Sequence, residues 1–155
     1  MIHKTVTRAK CRSTMDLSNW DFQIQVGPED ETLNTIKTPF GTFACKVMLQ
    51  SDTNAPSTGM QVMEFVPNGL IGKTVWAYLH DSTIFSDTNE YHIRDIRHGG
   101  YKLLDHTIIA FPSKCKFFAD QHHLLGQVIE DQGIHSDSVK IREIQDWHTH
   151  KSKNK

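Results

Sequence analysis

The residues best equipped for chemistry are the histidines, of which this chain has ten. His122-His123, His135 and His148-x-His150 gather late, while His80, His92, His98 and His106 fall mid-chain. On a strand, His148 and His150 would share a face and offer two imidazoles to zinc or iron. Beside Lys151 and Lys153 the same pair also reads as a solvated tail, the commoner fate of such a motif. His80-Asp81-Ser82 and Asp105-His106-Thr107 hold the residue types of a hydrolytic triad. Adjacency is not triad geometry and no GxSxG elbow accompanies them, so they read as polar residues at strand ends and on the surface. Cys11, Cys45 and Cys115 lack the local signature of a catalytic thiol. Gly27, Gly41, Gly59, Gly69 and Gly72 lack phosphate-loop spacing. No catalytic residue, metal ligand or cofactor is assigned, and the chain reads as a binding protein and not an enzyme.

Bulk properties narrow the classes. At 155 residues, with 37% hydrophobic and 23% charged residues, the chain fits one domain plus a short appendage. The net charge is −1 with Lys and Arg scattered, so no basic stripe marks a nucleic-acid partner. Three widely spaced cysteines suggest neither a disulfide framework nor a zinc site, and a reducing cytoplasm is expected. The opening MIHKTVTRAKCRSTMDL lacks the apolar core of a signal peptide, and no stretch is long enough to span a bilayer, so no membrane partner is expected.

The elements that would position any site read as strands. WDFQIQV alternates Phe22, Ile24 and Val26 against Gln23 and Gln25. GPEDETLNTIKTPFGTF is rich in breakers and reads as a long loop. ACKVMLQ is a short apolar run, and SDTNAPSTG is a second breaker-rich segment. MQVMEFV ends at a Pro67–Gly69 turn, KTVWAYL and YHIRDI alternate, Gly99-Gly100 is a turn, and YKLLDHTIIAF closes the series. The expected fold is therefore all-β. After Pro112, HHLLGQVIED and SVKIREIQDW read either as a hairpin around Gln132 and Gly133 or as short helices.

Two breaker-rich segments flank Val47-Met48-Leu49. In a mobile loop such a triplet is an adhesive, since Met adapts to irregular grooves and each buried side chain is worth ~1.5–3 kcal/mol. Equally, KVML reads as a short core strand.

The order of segments resembles that of GroES-type co-chaperonins. Asp21–Val26 is similar to that family's early D-x-[VI]-x-V strand, and Val47-Met48-Leu49 to its docking tripeptide. Ser57–Val66 resembles the passage that resumes the barrel, Ile71–Tyr78 its Val-Gly-Asp-x-Val-x-Phe strand start, and Leu104–Phe111 its terminal strand. The triplet lies further from Asp21 than in bacterial members, Lys73 stands for the usual Asp, and only Pro67–Leu70 replaces the roof hairpin. Those departures look like a divergent bacteriophage-encoded form.

The resemblance implies a small GroES-like β-barrel over 20–112, an N-terminal segment over 1–19 and a C-terminal extension over 113–155. It implies a heptamer that caps a GroEL-type chaperonin through Val47, Met48 and Leu49 and assists the folding of client proteins. The alternatives are a β-rich phage virion or assembly subunit and a small histidine-metal hydrolase. An oligomer with nucleotide-dependent chaperonin binding would mark the first, and stoichiometric zinc or iron the last.

Overall fold

The computed structural model describes residues 6–50, 52–124, 126–130 and 133–147. It is a mixed α/β fold and not an all-β one. Strand β1 (Cys11–Asp16) leads to a 3-10 turn at Trp20–Gln23 and an outlying hairpin of β2 (Thr35–Thr38) and β3 (Gly41–Ala44). Helix α1 (Ala55–Phe65), β4 (Val75–Tyr78), β5 (Asp81–Ser86) and helix α2 (Asn89–Asp105) follow. A second 3-10 turn (Pro112–Lys114), β6 (His122–Leu124), β7 (Gln127–Glu130), β8 (Gly133–Ser136) and helix α3 (Ser138–Gln145) complete the chain.

The central sheet has the order β1-β5-β4, all antiparallel, and β6-β7-β8 form a second sheet. Strand β5 explains the layering. Five of its six residues are buried, because both of its faces are covered. On one face Ile84 joins Met15, Val75, Trp20, Met63, Val66 and Leu103 in a core with helices α1 and α2. On the other, Phe85 packs with Val6, Ala9, Leu124 and Ile129. No sheet closes into a barrel among the described residues, so the expected β-barrel is corrected to a layered sheet with helices on one face. No helix of the described residues is long and apolar enough to cross a membrane.

Helix α2 begins where Thr88 Oγ1 accepts a hydrogen bond from the Tyr91 N–H, with Glu90 in the first turn and Lys102 in the last, as the helix dipole favours. Its buried residues are His92, Asp95, Gly99 and Leu103. That spacing is helical, yet only Leu103 is a large apolar residue, so a hydrophobicity pattern cannot display it. The expected strand YHIRDI and the Gly99-Gly100 turn are therefore both helix. Gly99 lies where an added Cβ would sit 3.5 Å from Ile84 Cδ1, which keeps helix and sheet close.

A chain of buried polar groups fixes that contact. Ser13 Oγ lies 2.7 Å from His92 Nε2, His92 Nδ1 lies 3.0 Å from Ser86 Oγ, and Ser86 donates to Asp95 Oδ2 at 2.8 Å. Burial lowers the His92 pKa, partly offset by Asp95. Such a connected network aligns helix and sheet because any other register would strand its members unpaired.

MQVMEFV, expected as a strand, lies in helix α1, whose start at Asn54-Ala55-Pro56 sits inside the supposed second loop. Its buried residues Ala55, Gly59 and Met63 recur every four positions, and only Met63 is large. WDFQIQV is not a strand either: Trp20–Gln23 form a 3-10 turn that places Trp20 in the core. An added Cβ at Gly59 would lie 2.7 Å from Trp20 Nε1. Gly59→Ala should therefore destabilise the protein by about 1–3 kcal/mol in urea titration, although alanine favours helices. A gain in stability would show that the indole yields freely.

Candidate metal centre

Strand β1 ends at Asp16 and β5 begins at Asp81, and the antiparallel register sets these residues directly opposite each other. Facing like charges oppose strand pairing, so the arrangement is costly unless a positive group sits between or beside them. The β4–β5 turn is Leu79-His80, closed by the pairing of Tyr78 with Asp81. Leu79 holds φ at 53°, a left-handed conformation that costs a residue with a Cβ about 1–2 kcal/mol. Two contacts hold it there. The Leu79 N–H donates to Met60 Sδ at 3.1 Å, and the His80 carbonyl accepts from the Leu17 N–H at 3.0 Å.

This turn delivers His80 to the paired carboxylates. One ligand atom from each of Asp16, His80 and Asp81 falls within 4.8 Å of the others. The side chains of His80 and Asp81 are about half exposed, whereas Asp16 is 19% exposed. The donor chemistry fits a divalent cation: two hard carboxylates and one imidazole, with an open side toward solvent.

The segment after helix α2 supplies the positive charge. It runs along β1, with mutual backbone hydrogen bonds between Thr14 and Lys116 and one from the Phe111 N–H to the Asp16 carbonyl. The Pro112–Lys114 turn brings Lys114 Nζ to 3.9 Å from Asp16 Oδ1. A groove of about 190 Å³ opens beside the carboxylates, lined among others by Thr14, Thr83, Lys114, Lys116, His122 and His123. His122 is buried, with Nε2 2.9 Å from Thr83 Oγ1 and Nδ1 without a partner among the described residues. Burial, then Arg12, His123 and Lys116, lower its pKa to about 4.

Sequence reasoning singled out His80-Asp81 only as triad residue types and missed Asp16 and Lys114. The available signal was a polar pair set between two apolar strand-like runs, KTVWAYL and TIFS. Asp105-His106-Thr107 are exposed at the end of helix α2, away from any such partner set. His148 and His150 lie outside the described residues.

A family model described as reverse transcriptase (RNA-dependent DNA polymerase) matches residues 2–129. The chain belongs to the reverse transcriptase family. The Pol polyprotein from transposon gypsy of Drosophila melanogaster is 26% identical over 147 residues, covering 95% of this chain and 14% of the relative. That from transposon 297 of the same organism is 28% identical over 137 residues, covering 87% and 13%. The chain thus spans about one-seventh of the length of these curated relatives. Among solved structures, foamy viral protease-reverse transcriptase in complex with an RNA/DNA hybrid superposes with a TM-score of 0.79 at 20% identity, over 92% of this chain and 19% of that one. A form of that protein in complex with double-stranded DNA gives 0.83 at 19% identity, over 94% and 26%.

Membership of the reverse transcriptase family overturns the resemblance to GroES-type co-chaperonins, and with it the heptamer, the GroEL-type partner, the client proteins and the phage virion subunit. The reading of a non-enzyme falls too, because the family is described as a polymerase. The exclusion of nucleic acid conflicts with fold neighbours solved on an RNA/DNA hybrid and on duplex DNA. The segment order misled because short alternating runs separated by glycines and prolines suit many folds. As for the supposed docking triplet, Val47 bridges Gln25, Met48 is buried and donates its N–H to the Ile24 carbonyl, and the Leu49 N–H donates to Asp52.

Proposed function

We propose that this chain is a segment of a nucleic-acid polymerase, and that Asp16 and Asp81 are the carboxylates around which nucleotidyl transfer to a primer on an RNA template takes place. The observation that carries this reading is their placement: register partners on adjacent strands, facing one groove, beside two lysines. Lys114 offsets part of the opposed charge, but it reaches only Asp16, at 3.9 Å and largely exposed, which leaves room for a cationic ligand between the carboxylates. A divalent cation bound there would act as a Lewis acid on phosphoryl oxygen.

The chain's own residues do the rest. Asp16, the less exposed carboxylate, is anchored by the main-chain bond from Phe111 and sets the position of the centre. Asp81 sits at the turn, open to incoming substrate. Lys114 and Lys116 are point charges suited to phosphate oxygens. The buried, uncharged His122 completes the wall without adding a second repelling or attracting charge.

Fluorescence anisotropy with a labelled RNA/DNA hybrid, together with extension of a DNA primer on an RNA template, tests the proposal. Binding and templated extension are expected. A chain that binds neither hybrid nor duplex at low salt is no polymerase segment. Lys116→Ala should weaken hybrid binding uniformly across sequences and flatten the salt dependence by about one counterion. An unchanged salt slope would remove Lys116 from the phosphate path.

A further inference from the structure

We propose that the far end of the central sheet carries a binding site for a phosphate group, separate from the groove beside Asp16 and Asp81. The register of β1 and β5 sets Asp16 opposite Asp81 at one end and Cys11 opposite Ser86 at the other, roughly 17 Å along the strands. At this second end a cleft of about 350 Å³ opens between the segment before β1, the turn before β4 and the first turns of helix α2. That volume lies within the ~300–1,000 Å³ of small-ligand pockets.

Each of the three elements contributes a cation to the wall: Arg8, Lys73 and Arg94. Arg8 and Lys73 form no ion pair among the described residues. Two carboxylates, Asp87 and Asp95, also line the cleft. Asp95 is buried and its charge is already engaged, since it accepts from Ser86 Oγ at 2.8 Å and from Arg94 Nη2 at 3.0 Å. Only the exposed Asp87 is left to offset Arg8 and Lys73, so the cleft keeps a positive balance.

Arg94 is the pre-organised member. Its Nε and Nη2 are fastened to Asp95 Oδ1, and its Cζ lies 4.8 Å from the centre of the Tyr91 ring, which leaves Nη1 uncommitted among the described residues. A guanidinium held in this way loses little freedom when its remaining N–H groups meet an anion. In the same wall the Thr74 hydroxyl is buried with no partner among the described residues. An orphaned hydroxyl calls for an acceptor, which a phosphate oxygen supplies. Phosphate also spreads its oxygens tetrahedrally, so cations from three sides can each find one, whereas a carboxylate offers only two.

The probes are pyrophosphate and a single-stranded oligothymidylate, each titrated by calorimetry into the 155-residue chain in EDTA. Chelation silences metal-dependent binding at Asp16 and Asp81, so the outcome is independent of the function proposed above. One pyrophosphate per chain is expected. Arg8→Gln and Lys73→Gln should each weaken it about tenfold, the scale of one charge-assisted hydrogen bond. Asp87→Asn should tighten it several-fold by removing the opposing charge, and Lys116→Gln should leave it unchanged. Circular dichroism checks that each variant is folded. Binding of the oligothymidylate alone, weakened by the same two substitutions, also supports the site and assigns the phosphate to a nucleic-acid backbone. The proposal is overturned if neither probe binds at millimolar concentration, or if Arg8→Gln and Lys73→Gln bind as the unaltered chain does. Loss of binding in Lys116→Gln instead would place the anion in the carboxylate groove and overturn it equally.

Discussion

Asp16→Asn and Asp81→Asn are each expected to lower templated primer extension about a thousandfold in Mn²⁺, the loss of several kcal/mol of transition-state stabilisation. Asparagine keeps the shape of aspartate and removes the charge, so the fold should persist. Thermal unfolding should in fact rise slightly for Asp81→Asn. Its charge faces Asp16 across the β1–β5 pair, and removing one of two opposed charges relieves a repulsion of several tenths of a kcal/mol. Loss of activity with a gain in stability is the signature of a group kept for function at the expense of folding. If both variants lose stability as well as activity, Asp16 and Asp81 are structural and the centre lies elsewhere.

The second large effect concerns acid. In the folded protein His122 has its pKa lowered to about 4 from the ordinary 6.5, first by burial and then by the charges of Arg12, His123 and Lys116. The unfolded chain therefore binds a proton at this position as pH falls below 6.5, while the folded chain does not until about 4. Stability is fully present above 6.5 and is lost on the way down, by on the order of 3 kcal/mol when the interval has been crossed. His92 shifts in the same direction and adds to the loss. Urea titrations at steps between pH 7 and 4 would show the slope, and His122→Gln should flatten it. An equal slope in the variant would assign the acid sensitivity to other groups.

Part of this structure was readable from the residues. The KTVWAYL segment contains β4, and Val75 is buried as its alternation suggests. The sites of failure share a cause. Helix α1 buries Ala55, Gly59 and Met63, and helix α2 buries His92, Asp95, Gly99 and Leu103. Glycines and paired polar residues on a buried face leave no hydrophobic stripe, and two adjacent glycines imitate a turn. The hairpin of β2 and β3 is exposed along nearly its whole length, so it has no inward face to reveal it. The missed carboxylates follow from a different limit. Asp16 stands in β1 with nothing nearby in sequence to mark it, and only strand pairing brings it to Asp81. His80-Asp81 stands out in the sequence as a polar pair, but only the register names its partner.

That register also sets a timetable for the emerging polypeptide. Asp16 is made before its counterpart, and the whole of β5 must wait for the hairpin, helix α1 and β4 to be made. Until then β1 lacks its sheet partner, and closing so distant a pair is intrinsically slow. Any truncation that removes β5 should therefore yield a chain without a centre and with β1 deprived of its sheet partner.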